Sequence, residues 1–263
     1  MELDEELNVN ESDIELEPTK EENYDDQNLI ESDEIIGYKA KIAANPYEYD
    51  YHLKLISELR KIRQRNDLQK ARENMYVYFP LTEQLWLEWL KDEISHPQSS
   101  KEYIIDLFEK AVLDYQSVKL WLEYCQYRMD IMKSRDEIDL IRKLFENAII
   151  SAGLHVSEGS SIWDGFRDFE QSMLSSFQKL NGKNIDPNIL SQIENQKKRI
   201  LSLFHRQLSI PHLSISHTKR VYDNWLLENG ISPNQNLSFY PLTLKKLNEC
   251  LEYEKELNKT EKN

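Results

Sequence analysis

The chain has 263 residues, 30% of them charged and 10% aromatic, with only six glycines and a net charge of −14. That composition favours a helical protein over a glycine-rich sandwich or barrel, and the length suffices for a sizeable core. Fifteen of the 47 acidic residues and one of the 33 basic residues lie in 1–36, so the remainder is electrically balanced and offers no general attraction for bare nucleic acid.

Residues 1–36 hold thinly spread apolar residues (Leu3, Leu7, Ile14, Leu16, Leu29, Ile30) among acids. So little burial cannot offset the entropy of ordering the backbone, and a disordered acidic tail is expected. Its functional alternative is an arm that docks on a basic partner. Residues 37–263 are read as one helical array. A first helix is expected over about Tyr47–Arg63, with Tyr51, Leu55, Ile56 and Leu59 on one face. A second, about Asp67–Tyr78, uses Leu68, Ala71, Met75 and Tyr78, and Pro80 ends it.

Residues 79–112 read as a helical hairpin. Leu85, Trp86, Trp89, Leu90 and Ile94 form the stripe of its first helix, with Thr82 placed to cap it and His96-Pro97 to stop it. Ile104, Leu107, Phe108, Ala111 and Val112 line the second helix. The pattern returns at 118–129, with Trp121, Tyr124 and Cys125, and at 136–151, where Ile141, Leu144, Phe145, Ala148 and Ile149 repeat the earlier face at an offset of 37. Ile200, Leu203, Phe204 and Leu208 repeat it once more, with Gln207 in place of alanine. The first helices align too, as Trp86/Trp89, Trp121/Tyr124, Trp163/Phe166 and Tyr222/Trp225. A helix pair every 35–40 residues or so predicts an all-α solenoid of about five hairpins. The longer last interval contains Asn181-Gly182 and Asp186-Pro187, so 174–192 is expected to be a loop insertion, with the helix resuming near Ile193. The fifth pair, about 216–229 and 239–259, ends in a Lys/Glu-rich helix that either caps the array or leads into further chain.

The motif Trp163-x-x-Phe166-x-x-Phe169-Glu170 and its partial copies at Trp86 and Trp121 resemble the half-a-TPR (HAT) repeat of RNA-processing proteins. Phe108-Glu109-Lys110-Ala111 and Phe145-Glu146-Asn147-Ala148 match the second helix of that repeat. Four segments, FPLTEQLWLEWLKDEIS, DLFEKAVLDY, KLWLEYCQY and LFHRQLSIP, resemble the N-terminal repeats of the branch that works in U4/U6 snRNP recycling. The resemblance implies a nuclear scaffold of pre-mRNA splicing that holds snRNP-associated proteins. The alternatives are a direct RNA-binding solenoid and a HAT scaffold of mRNA 3′-end processing. In the family, RNA contact resides in RNA-recognition motifs after the repeats, and neither an RNP-type segment nor a basic import signal is visible here.

The recurring rings are expected to fill the interface between the two helices of each repeat, rather than to stack nucleobases. The repeat-core set is therefore Trp86, Trp89, Phe108, Ala111, Trp121, Tyr124, Phe145, Ala148, Trp163, Phe166, Glu170, Phe204, Tyr222 and Trp225. His205, His212 and His217 straddle a proline with no ligand pattern to complete a metal site, so no metal or cofactor is expected. Cys125 and Cys250 read as reduced thiols. With no P-loop, Gly-x-Ser-x-Gly or His-Glu-x-x-His, an enzyme is not expected. No apolar run approaches the ~18 residues of a membrane span.

Overall fold

A computed structural model describes residues 32–181, 187–232 and 237–260. Among the described residues there are eleven α-helices and no strand. The chain divides into two compact units, Met1–Met75 and Tyr76–Asn263.

In the first unit, α1 (Asp33–Ala44) packs on α2 (Tyr49–Lys61), and α3 (Arg65–Tyr78) begins there and crosses the unit boundary. Helix α1 adds to the predicted set. Ser32 caps it through Ile35 N–H, and Asp33 and Glu34 place negative charge in its first turn, where the helix dipole favours it. Residues 33–36, expected in the tail, are therefore helical; residues 1–31 lie outside the described ones. Ile35, Ile42, Leu55, Ile56, Leu59, Leu68, Ala71 and Met75 are buried, and Lys39 pairs with Asp67 at 2.7 Å.

The second unit stacks four hairpins in chain order. They are α4 (Glu83–Ile94) with α5 (Lys101–Asp114), α6 (Val118–Asp130) with α7 (Ile138–Ala152), α8 (Ser160–Asn181) with α9 (Pro187–Leu208), and α10 (Ile215–Glu228) with α11 (Tyr240–Thr260). Thr82, Ser100 and Ser117 each cap a helix with a side-chain oxygen. Each second helix packs on the next first helix, and the first helices α4, α6 and α8 also touch in sequence.

Two expectations change. The 174–192 stretch is not a loop: α8 runs to Asn181 and α9 starts at Pro187, so most of it is helix. Leu174 is buried, and Phe177 and Ile189 pack against the cluster that also holds Ile193, Phe204, Tyr222, Trp225 and Leu247. The apolar face thus continues through the stretch. Pro187 suits the first helical position, where its missing N–H costs nothing. The second change is Ile94, which is 45% exposed while Glu93 is buried, because Ile94 is the final residue of α4. Tyr78, the final residue of α3, is likewise exposed.

Aromatic rings join each repeat to the next. Tyr76 meets the Trp86 ring edge-on at 5.1 Å, and Trp86 stacks on Trp89 at 5.4 Å. Phe108 stacks on Tyr124 at 5.0 Å and lies 5.4 Å from Tyr127. Phe145 stacks on Phe166 at 4.9 Å beside Phe169, and Phe204 sits 5.4 Å from Tyr222 and 5.8 Å from Trp225. In each case a second-helix ring meets at least one ring of the aromatic pair on the following first helix. Replacing Phe108 by Ala would leave a cavity at such a junction, and urea unfolding is expected to show a loss of about 3–5 kcal/mol. An unchanged midpoint would mean that the junction does not hold the repeats together.

Candidate interaction surface

All fourteen repeat-core residues are buried, Trp121 being the most exposed of them at 7%. Their contacts differ from the expected within-repeat interface. The Trp86 indole N–H donates to Asp114 of its own hairpin at 2.8 Å, while its ring touches Tyr76 of α3. Trp163 donates to the Gly153 carbonyl, just after α7, at 3.0 Å, and Arg206 of its own hairpin lies over its ring. These rings bridge repeats, and burial leaves none of them a free face on which a base could stack.

Buried polar groups fasten the same junctions. Arg142 of α7 makes a two-pronged bond to Glu170 of α8, at 2.7 and 3.0 Å, and donates to Gln196 of α9 at 3.2 Å. Gln196 in turn donates to the Glu170 backbone carbonyl at 2.7 Å and to its carboxylate. The Glu170 hydrogen bonds hold the Arg142 guanidinium above its usual pKa, against an opposing effect of burial. Arg206 of α9 grips Glu146 of α7 with two bonds of 2.7 Å. Gln207, the departure from alanine in the repeat pattern, is fully buried and accepts from Arg167, while its amide donates to Asp164 at 3.1 Å. Arg167 also lies over the Phe204 ring at 4.5 Å.

The most strongly perturbed side chains lie in the packed interior. Burial pushes the Cys125 thiol up to about 12, which makes it unreactive, and Cys250 is exposed. Tyr124 is also raised to about 12, by burial and then by the Glu109 carboxylate that its hydroxyl reaches at 3.3 Å. The three histidines do not converge. His205 meets the Tyr222 hydroxyl at 3.1 Å, exposed His217 stands near Arg220, and His212 is buried with neither ring nitrogen paired. Among the described residues no group of His, Cys, Asp and Glu could hold a metal ion. No helix among them is long and apolar enough to cross a membrane.

Two of the hollows formed by the described residues lie beside α8. One, of about 260 Å³, lies between α6 and α8, lined by Leu122, Glu123, Cys125, Gln126 and Met129, with Phe145 of α7 and Gly165 of α8. The other, of about 540 Å³, runs along α8 and is polar, with Asp168, Gln171, three serines and Lys179. The sequence reading passed over Gly165, Arg142 and Gln196. Gly165 had a signal: the third position of each aromatic motif is Glu88, Glu123 and Asn224 elsewhere and glycine only here. Arg142 and Gln196 had none, because their partner lies 28 and 26 residues away from them on other helices.

This is a repeat scaffold of the HAT class, built from helix pairs locked at aromatic junctions. Residues 37–182 match the model of the PRP39 N-terminal HAT repeat, and the chain belongs to that family. It is 35% identical over 230 residues to the spliceosome associated factor 3, U4/U6 recycling protein, of Homo sapiens and equally to that of Pongo abelii. These matches cover 87% of this chain but 22% of those relatives, so the chain spans about a fifth of their length. It is also 23% identical over 193 residues to the mRNA 3′-end-processing protein RNA14 of Yarrowia lipolytica, covering 70% of this chain and 22% of that one.

Two outcomes follow from the polar junctions. Arg142→Ala would strand the buried Glu170 carboxylate and is expected to cost about 3–5 kcal/mol in chemical denaturation, whereas replacing Arg142, Glu170 and Gln196 together by apolar residues of similar volume should cost far less. Burial lowers the pKa of His212, with Asp164 opposing that shift and Arg167 adding to it. The unfolded chain therefore binds this proton first. Stability from His212 is complete above its ordinary value of 6.5 and declines as pH falls from there towards the folded pKa. Melting temperatures between pH 7.5 and 5 should drop more for the parent than for His212→Gln.

Proposed function

We propose that the chain is a protein-interaction scaffold in nuclear RNA processing, acting in pre-mRNA splicing through U4/U6 snRNP recycling. The observation that carries this reading is the 35% identity to U4/U6 recycling proteins over 87% of the chain, spanning the helices that form the junctions. Two structural facts support a binding role without catalysis. The rings and the most strongly perturbed side chains are committed to packing, and the surface offers an elongated face of adjacent first helices. Partners are then proteins of snRNP-associated complexes, and the site of action is the nucleus. RNA contact through this stretch is not part of the reading, because the aromatic rings are buried and the folded part carries no excess of positive charge.

The likeness to RNA14 favours one second reading, a scaffold of mRNA 3′-end processing. Affinity purification on the folded chain from nuclear extract separates the two. Recovery of U4/U6 snRNP proteins is expected, recovery of 3′-end cleavage proteins would favour the second reading, and recovery of neither would sink both. A titration with single-stranded U-rich RNA should show only weak binding. Tight binding with a steep salt dependence would reinstate an RNA-binding role.

A further inference from the structure

The cleft between α6 and α8 has a feature that packing does not require. Gly165 lies in the interior of a 22-residue helix, where glycine costs about 1 kcal/mol relative to alanine. Its backbone is helical with no positive φ, so no special conformation calls for glycine. A Cβ built there would stand 3.5 Å from Leu122 Cδ2 and 3.6 Å from Phe145 Cε1, which is ordinary contact. Neither strain nor close approach explains the residue. What glycine does is leave a hollow that a longer side chain, like the Glu88, Glu123 or Asn224 at the matching positions, would occupy.

The hollow is apolar inside and acidic at its edge. Leu122, Cys125 and Met129 of α6 and the Phe145 ring line it, and Met129 can adapt its thioether chain to differing shapes. At about 260 Å³ it is smaller than the ~300–1,000 Å³ usual for drug-sized ligands, which suits a single side chain. Glu123 on the rim is exposed, and its carboxylate forms no ion pair or hydrogen bond among the described residues. That carboxylate repels phosphate and attracts Lys or Arg.

Building on the scaffold reading, we infer that this cleft is a docking slot for a basic protein segment, which inserts one large apolar side chain between α6 and α8 and sets Lys or Arg against Glu123. Such an anchor follows the usual energetics of interfaces, where one buried side chain dominates and surrounding charges set specificity.

Selection of displayed random dodecapeptides on the full chain tests this, with the selected peptides then synthesised and titrated by fluorescence anisotropy. The expected peptides carry one Leu, Met or Phe within three residues of Lys or Arg. Gly165→Leu, which fills the slot and raises helix propensity, should weaken their binding at least tenfold. Glu123→Lys, an exposed change that leaves the core untouched, should weaken it at least threefold, and raised salt should weaken the parent as well. Circular dichroism melts report whether each variant remains folded, and Glu123→Lys keeps the test decisive if Gly165→Leu does not. Peptides that bind both variants as tightly as the parent would overturn the slot while leaving the scaffold reading intact, as would selection of acidic or wholly polar peptides. Absence of any selected peptide would also overturn it; the scaffold reading itself stands or falls separately, on the nuclear-extract purification.

Discussion

Everything in the second unit depends on one recurrent contact, the ring of a second helix packed on aromatic rings of the next first helix. A single hairpin has two apolar faces and can cover only one of them, so each repeat leaves a surface that its neighbour must complete. Large rings do this well because each buries a wide area and adds a preferred stacked or edge-on geometry. Phe108 and Phe145 sit at equivalent places and stack on Tyr124 and Phe166 of the following repeat, so that junction is copied once, whereas Phe204 meets Tyr222 edge-on and Trp225 at a tilt. Recognition surfaces in such an array are what remains after the rings are committed, which is why the functional reading moves off the aromatic stripe and onto its flanks.

The polar bonds at these junctions do different work. Arg142–Glu170–Gln196 ties three helices, and Arg167–Gln207–Asp164 ties two. Buried ion pairs add little net stability over apolar packing of the same volume, because desolvation offsets the attraction. They do penalise slippage. Shifting α7 along α8 by one turn would leave apolar faces still in contact but would separate Arg142 from Glu170.

Much of this was legible in the sequence because the repeat writes it several times. The offset of 37 exposed matching faces on α5 and α7, and Thr82 before an apolar stripe located the cap of α4. Misreadings came where a local signal had two meanings. Asn181-Gly182 and Asp186-Pro187 bound a short connection, yet the same dipeptides suggested a long loop; the apolar spacing of Leu174, Phe177, Ile189 and Ile193 was the better guide. Helix α1 was missed because its start lies within an acidic run, although those acids suit a first turn. Glu170 was read as a motif residue, but its partner on α7 follows from tertiary placement alone, as does the burial of Glu93.

The lengths of α8 and α9 carry a further consequence. At 22 residues each they run to about 33 Å, against roughly 18–23 Å for the 12- to 15-residue helices α4 to α7. Initiating a helix is the costly event and extending it is cheap, so a longer hairpin recovers more per initiation. The second unit is then uneven along its length, with the short hairpins α4/α5 and α6/α7 followed by α8/α9 and the 21-residue α11. Each short hairpin spreads the cost of initiation over fewer residues, so α4/α5 and α6/α7 lean more heavily on the rings at their junctions than α8/α9 does.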